Sequence, residues 1–74
     1  MLYCQDEVMK TFGEKLKFER QQAGLTQADL AEKIGVKQQQ LSQWECDKVE
    51  PTLSNIVAIL KALHITLEDL VDEL

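Results

Sequence analysis

Proline occurs once in these 74 residues, glycine three times, histidine once and aromatic side chains four times. A single proline leaves long stretches free to be helical, and nowhere do apolar and polar residues alternate over strand length. No run approaches the roughly 20 apolar residues of a membrane span. The start, MLYCQDEV, lacks a signal peptide's basic and apolar regions, so a cytoplasmic location is expected. Cys4 and Cys46 are too few and too far apart for a disulfide framework or a metal site. In a reducing compartment they are expected to be free thiols. The parts of an enzyme are missing as well. No nucleophile has a base nearby in sequence, and there is no glycine-rich phosphate loop or metal-ligand cluster. Neither a catalytic residue, a cofactor nor a bound metal is expected.

What is present is a 45% hydrophobic, 28% charged chain of soluble globular character and single-domain length. The net charge of −5 is unevenly spread. Residues 66–74 carry Glu68, Asp69, Asp72 and Glu73 with no basic side chain. Between Thr11 and His64 there are seven basic and seven acidic residues, so the central body is neutral. Weak long-range attraction to phosphate follows, hence low non-specific affinity for nucleic acid.

The hydrophobic spacing predicts five helices and an all-α fold. Helix 1 is expected over Val8 to Ala23, with Phe12, Leu16 and Arg20 on one face and Gly24 as its stop. Residues 1–10 then form an N-terminal extension overlapping the start of helix 1, and 11–74 form the domain. Thr26 and Asp29 approximate a capping box opening helix 2, which buries Leu30, Ala31 and Ile34 and ends at Gly35. Helix 3, about Gln38 to Glu45, buries Leu41 and Trp44. The residues CDKVEP form a loop, because Pro51 disfavours helix before it. Helix 4 runs from near Thr52 to Leu63 through Ile56, Ile59 and Leu60. Thr66 caps a short helix 5 with Glu68 and Asp69 in its first turn and an apolar stripe of Leu67, Leu70, Val71 and Leu74.

Two short helices joined by a tight glycine turn, the second rich in polar residues, spell a helix-turn-helix over about 26–45. Ala31 allows close crossing, Gly35 the turn, and Val36 and Leu41 fill the angle between the helices. The outward face of helix 3 then carries Gln38, Gln39, Ser42 and Gln43. A glutamine amide can pair with the adenine edge in a major groove, donating to N7 and accepting from the exocyclic amine. Three adjacent amides therefore look like a base-reading surface.

The stretch RQQAGLTQADLAEKIGVKQQQLSQWECDKVEPTLSNIVAILKALHITLEDL resembles the lambda-repressor-like, or XRE-type, helix-turn-helix family of phage repressors and bacterial regulators. GLTQADLAEKIGV, SQWE and the downstream PTL carry the likeness. It implies a compact five-helix domain binding an operator in double-stranded DNA as a homodimer, one recognition helix per half-site. It implies that Gln38, Gln39 and Gln43 read bases and that Ser42 contacts either a base or the backbone. Gln27 would bond a phosphate and buttress the first recognition-helix side chain. Lys37, which could reach phosphate or guanine, Lys48 and, more peripherally, Gln40 would serve the backbone, while Arg20 and Glu45 would form a structural ion pair. Where the family often has Asn-Gly-Lys, this chain has Cys46, Asp47 and Lys48, and the charge of Asp47 is expected to weaken a phosphate clamp. His64 stands where Gly or Asn commonly ends helix 4, a left-handed position histidine tolerates. Part of the strip Leu67, Leu70 and Leu74 is expected to serve dimerisation. The alternative reading is a protein-binding regulator, antirepressor or antitoxin-like, which the acidic balance, Cys46 and Asp47 favour.

Overall fold

A computed structural model describes residues 11–71. It contains α1 (Phe12–Gln22), α2 (Gln27–Ile34), α3 (Gln38–Glu45), α4 (Leu53–Leu63) and α5 (Leu67–Val71), with no strand among the described residues.

Threonine opens four of the five helices. Thr11 and Glu14 form a reciprocal capping box on α1, and Thr26 and Asp29 form one on α2. Thr52 Oγ1 accepts the Asn55 N–H on α4, and Thr66 and Asp69 exchange backbone-to-side-chain bonds on α5. The Thr11 box corrects the expected start of helix 1. Thr11 is extended (φ −121°, ψ 164°), so α1 begins at Phe12; Val8 to Lys10 lie outside the described residues. A cap residue must leave the helical region for its side chain to reach the first-turn N–H groups, and that requirement overrides the apolar periodicity upstream.

Each helix contributes to one core: Leu16, Leu30, Ala31, Leu41, Trp44, Ile59, Leu63 and Leu70. Phe12, Ile34, Val36, Leu60 and Ile65 pack against its edge. α1 lies against α3 and α5, and α2 against α3 and α4. Leu70 is fully buried, so it belongs to the core and not to an exposed dimer strip, as its place on that strip would require. Leu67 remains 50% exposed, and Leu74 lies outside the described residues.

The chain reverses through left-handed residues. Gly35 ends α2 at φ +78°, and His64 ends α4 at φ +58°. Asp47, just past α3, also has φ +61°, at the place where the family pattern carries glycine. Its backbone is one that aspartate tolerates better than most residues. From there its carboxylate reaches α1. Gly13 N–H donates to Asp47 Oδ1 at 2.9 Å, and the Thr11 hydroxyl donates to Oδ2. α1 and α3 touch through backbone at this point. A Cβ on Gly13 would stand 2.5 Å from the carbonyl oxygens of both Trp44 and Glu45. Cys46, the C-terminal cap of α3, is disulfide-bonded, against the free thiol expected. That expectation rested on compartment, which fixes nothing about side-chain geometry; Cys4 lies outside the described residues.

Candidate nucleic-acid interface

α2 and α3 are joined by three residues, Gly35 to Lys37. Val36 N–H donates to Ala31 O at 3.0 Å, while Leu30, Ala31, Leu41 and Trp44 fill the inner angle. With those faces buried, the polar residues of α3 have one place left to go. Gln38, Gln39 and Gln40 are exposed, and Ser42 and Gln43 are half-buried. None of these five side chains bonds another described residue, so their donors and acceptors are uncommitted. The expected reading surface is therefore brought together on one short helix, and Gln40 is exposed beside it.

The start of α3 is also open. Its N-cap is Lys37, which has no side-chain acceptor and makes no cap bond. The N–H groups of the first turn consequently lack the threonine oxygen that serves the other helices, and the local dipole favours an anion there. Lys37 and Lys48 are exposed on either side of α3.

Behind this surface lies the ion pair. Arg20 Nε donates to Glu45 Oε2 at 2.7 Å and Nη2 to Oε1 at 3.2 Å; the residues are 7% and 1% exposed. Arg20 Nη1 also holds the Leu25 carbonyl at 2.8 Å, tying the α1–α2 connection to the end of α3. Such a bidentate, charge-assisted pair fixes orientation as well as distance. Gln27, first residue of α2, joins it, its Nε2 donating to Glu45 Oε1 at 3.0 Å. That bond was not foreseen from sequence, since no local pattern links positions 18 apart.

The carboxylate of Asp47, expected to weaken a phosphate clamp, is bonded to α1. Its two oxygens are engaged by Thr11 and Gly13 at the positive end of α1. The signal that could have found this is the pairing of a small residue at Gly13 with an acceptor where the family has glycine. Asp29 lies at the start of α2. The Thr26 backbone N–H and then its hydroxyl hold that carboxyl below the ordinary value of 3.8, as the α2 capping box dictates.

The family model described as helix-turn-helix matches residues 16–70. Antitoxin HipB of Escherichia coli (strain K12) is 40% identical over 52 residues, which are 70% of this chain and 59% of that protein. Repressor protein C2 of Salmonella phage P22 is 36% identical over 52 residues, 70% of this chain and 24% of that one. The chain thus spans less than two thirds of the length of either relative. The P22 c2 repressor, solved in complex with a synthetic operator, aligns with a TM-score of 0.76 at 32% identity, covering 84% of this chain and 94% of that chain.

Proposed function

Since this chain belongs to the lambda-repressor-like, XRE-type helix-turn-helix family, we propose that it is a sequence-specific DNA-binding transcriptional regulator, acting as a repressor. The observation that carries the reading is the face of α3: exposed or half-buried amides with no partner in the protein, on a helix whose N-terminus is uncapped. The operator-bound P22 c2 repressor, with the same fold, supports it.

In this reading α3 enters the major groove. Gln38, Gln39, Gln43 and Ser42 meet base edges, with adenine favoured in each half-site. Lys37, Lys48, Gln27, Gln40 and the open N–H groups of α3 meet phosphates and set the register. A homodimer places two such helices about 34 Å apart on a palindromic operator. Its contact draws on the exposed Leu67 at the start of α5, with Leu70 supporting that helix from the core.

A second reading is supported by the acidic balance of the chain and by the 40% identity to Antitoxin HipB. There the fold would act as an antirepressor or antitoxin-like regulator through a protein partner.

Selection of bound fragments from random duplex DNA separates the two, run at low salt and again near about 150 mM, where surface charges are screened beyond ~8 Å. The expected result is an inverted repeat that survives the higher salt and disappears with Gln38→Ala and Gln39→Ala together. A folded protein that enriches nothing at either salt refutes DNA binding and leaves the protein-partner reading.

A further inference from the structure

Glu45 is 1% exposed and receives three donors: Arg20 Nε at 2.7 Å, Arg20 Nη2 at 3.2 Å and Gln27 Nε2 at 3.0 Å. The first two are explained by the ion pair. The third is not needed for it, and it comes from a half-buried side chain at the first position of α2.

A carboxylate only accepts hydrogen bonds, whereas an amide has one end that donates and one that accepts. Glu45 therefore decides how Gln27 lies. An amide oxygen turned toward that buried charge would be repelled, so the nitrogen faces inward and spends one of its two hydrogens on Glu45. Arg20 cannot yield, because its fork holds the same carboxylate and its Nη1 holds Leu25 O at 2.8 Å. Gln27 is left with one N–H and its carbonyl uncommitted among the described residues. A phosphate oxygen can use only the N–H.

We propose that Glu45 is a positioning residue for DNA: through its bond to Gln27 the buried ion pair holds the amide flip, so that the single remaining N–H serves one backbone phosphate in each half-site. The proposal rests on the DNA-binding reading above. It adds that the Arg20–Glu45 pair, structural by its burial, also sets a backbone contact. A held amide loses little freedom on binding, while a free one must be ordered and can present its carbonyl to the phosphate instead.

The test replaces each phosphate of the selected operator in turn by an uncharged methylphosphonate. Wild-type protein should weaken about tenfold or more at one phosphate per half-site, the weight of a hydrogen bond to a charged group. Gln27→Met should be indifferent to that same phosphate. Glu45→Asp keeps the charge but withdraws the carboxylate by one methylene. It should lose most of the dependence at that phosphate and keep it at those served by Lys37 and Lys48. A folded Glu45→Asp protein that is less stable yet has the wild-type phosphate profile overturns the proposal. Side-chain ¹⁵N relaxation on the free wild-type protein needs no variant. Gln27 Nε2 should be nearly as ordered as the backbone, at an order parameter near ~0.8, and Gln38 and Gln39 well below it. Equal mobility of all three overturns the anchor. If no operator is selected at all, the DNA-binding reading fails, and the relaxation measurement still decides whether Glu45 holds Gln27.

Discussion

Replacing Gly13 by alanine tests whether α1 and α3 meet as tightly as their backbones indicate. In an exposed helix the change should stabilise, by up to about 1 kcal/mol, through propensity and a less flexible unfolded chain. Here the new Cβ would lie 2.5 Å from the Glu45 and Trp44 carbonyl oxygens and 2.8 Å from Asp47 Oδ1. Two of those atoms are backbone at the end of a packed helix and cannot swing aside. Forcing them apart resembles overpacking a core, about 1–3 kcal/mol. The displacement also strains the 2.9 Å bond from Gly13 N–H to Asp47. As a hydrogen bond to a charged group it is worth a further ~1.5–3 kcal/mol. Sterics should therefore win, and Gly13→Ala should destabilise by about 2–4 kcal/mol net of the propensity gain. At roughly 4–8 °C per kcal/mol for a domain of this size, the loss in Tm should exceed ~8 °C. Urea unfolding followed by Trp44 fluorescence and by circular dichroism measures it, with an unchanged denaturant slope as the sign that only stability moved. Gly24→Ala is the control: its φ is +76° with nothing within 4 Å, so only the left-handed penalty of about 1–2 kcal/mol applies. A Gly13→Ala protein at or above wild-type stability would refute the close packing.

Arg20→Met should destabilise by about 3–5 kcal/mol in chemical denaturation, because Glu45 stays buried without its counter-charge; a loss under about 1 kcal/mol would mean that water or Gln27 suffices. Gln39→Ala should weaken operator binding by about 1–3 kcal/mol and relax preference at one position in each half-site, measured by competition among operator variants. Equal loss on every sequence would contradict base reading. Asp29 has a lowered pKa, so the unfolded state takes up its proton first as pH falls. Its stabilisation is full above the unfolded value of 3.8 and declines as pH drops through that value toward the folded one. The stability gap between wild type and Asp29→Asn, followed by urea midpoints, should be flat above about pH 5 and shrink below it; a gap that widens in acid would reverse the assignment. Salt dependence should be shallow. If Lys37 and Lys48 meet phosphate as proposed, two lysines per protomer give a log–log slope near about −4 for a dimer. A slope near about −8 would require cations that this surface does not supply.

The helices were legible because their signals are local. Thr26 with Asp29, Gly35, Pro51 and the spacing of Ile56, Ile59, Leu60 and Leu63 each act within a turn or two, and α2, α3 and α4 lie where those signals put them. The Thr11-to-Glu14 box was equally local, yet the expected start of helix 1 lay upstream of it at Val8. The exposed glutamine face of α3 was legible for a related reason. Once Leu41 and Trp44 are buried, helical geometry alone turns Gln38 and Gln39 outward. What sequence could not supply were bonds across the fold. Asp47 to Gly13 spans 34 positions and Gln27 to Glu45 spans 18, and neither has a periodicity to betray it. Leu70 shows the same limit. An apolar stripe says that a helix face is covered, and only the packing of α5 on α1 says by what.

These long-range bonds change the electrostatic argument about an acidic chain and an anionic ligand. Formal charge counts Glu45 and Asp47 against any phosphate contact at the end of α3. The first is neutralised by Arg20 at 2.7 Å, and the second is spent on the N-terminus of α1 through Gly13 and Thr11. Asp47 stays exposed and charged next to Lys48, with both of its oxygens hydrogen-bonded. The acids Glu68 and Asp69 stand on α5, where Asp69 caps its own helix. Glu14 and Glu19 stand on α1, Asp29 and Glu32 on α2, and Asp47 and Glu50 are exposed in the loop after α3, while Lys37 and Lys48 flank the open glutamine face. On the proposed reading, net charge governs how fast and how indiscriminately the protein meets DNA, and the local arrangement governs whether it stays. On that same reading, an acidic total with an uncharged glutamine face favours low non-specific binding over low affinity, which is the combination a base-reading surface of amides can use.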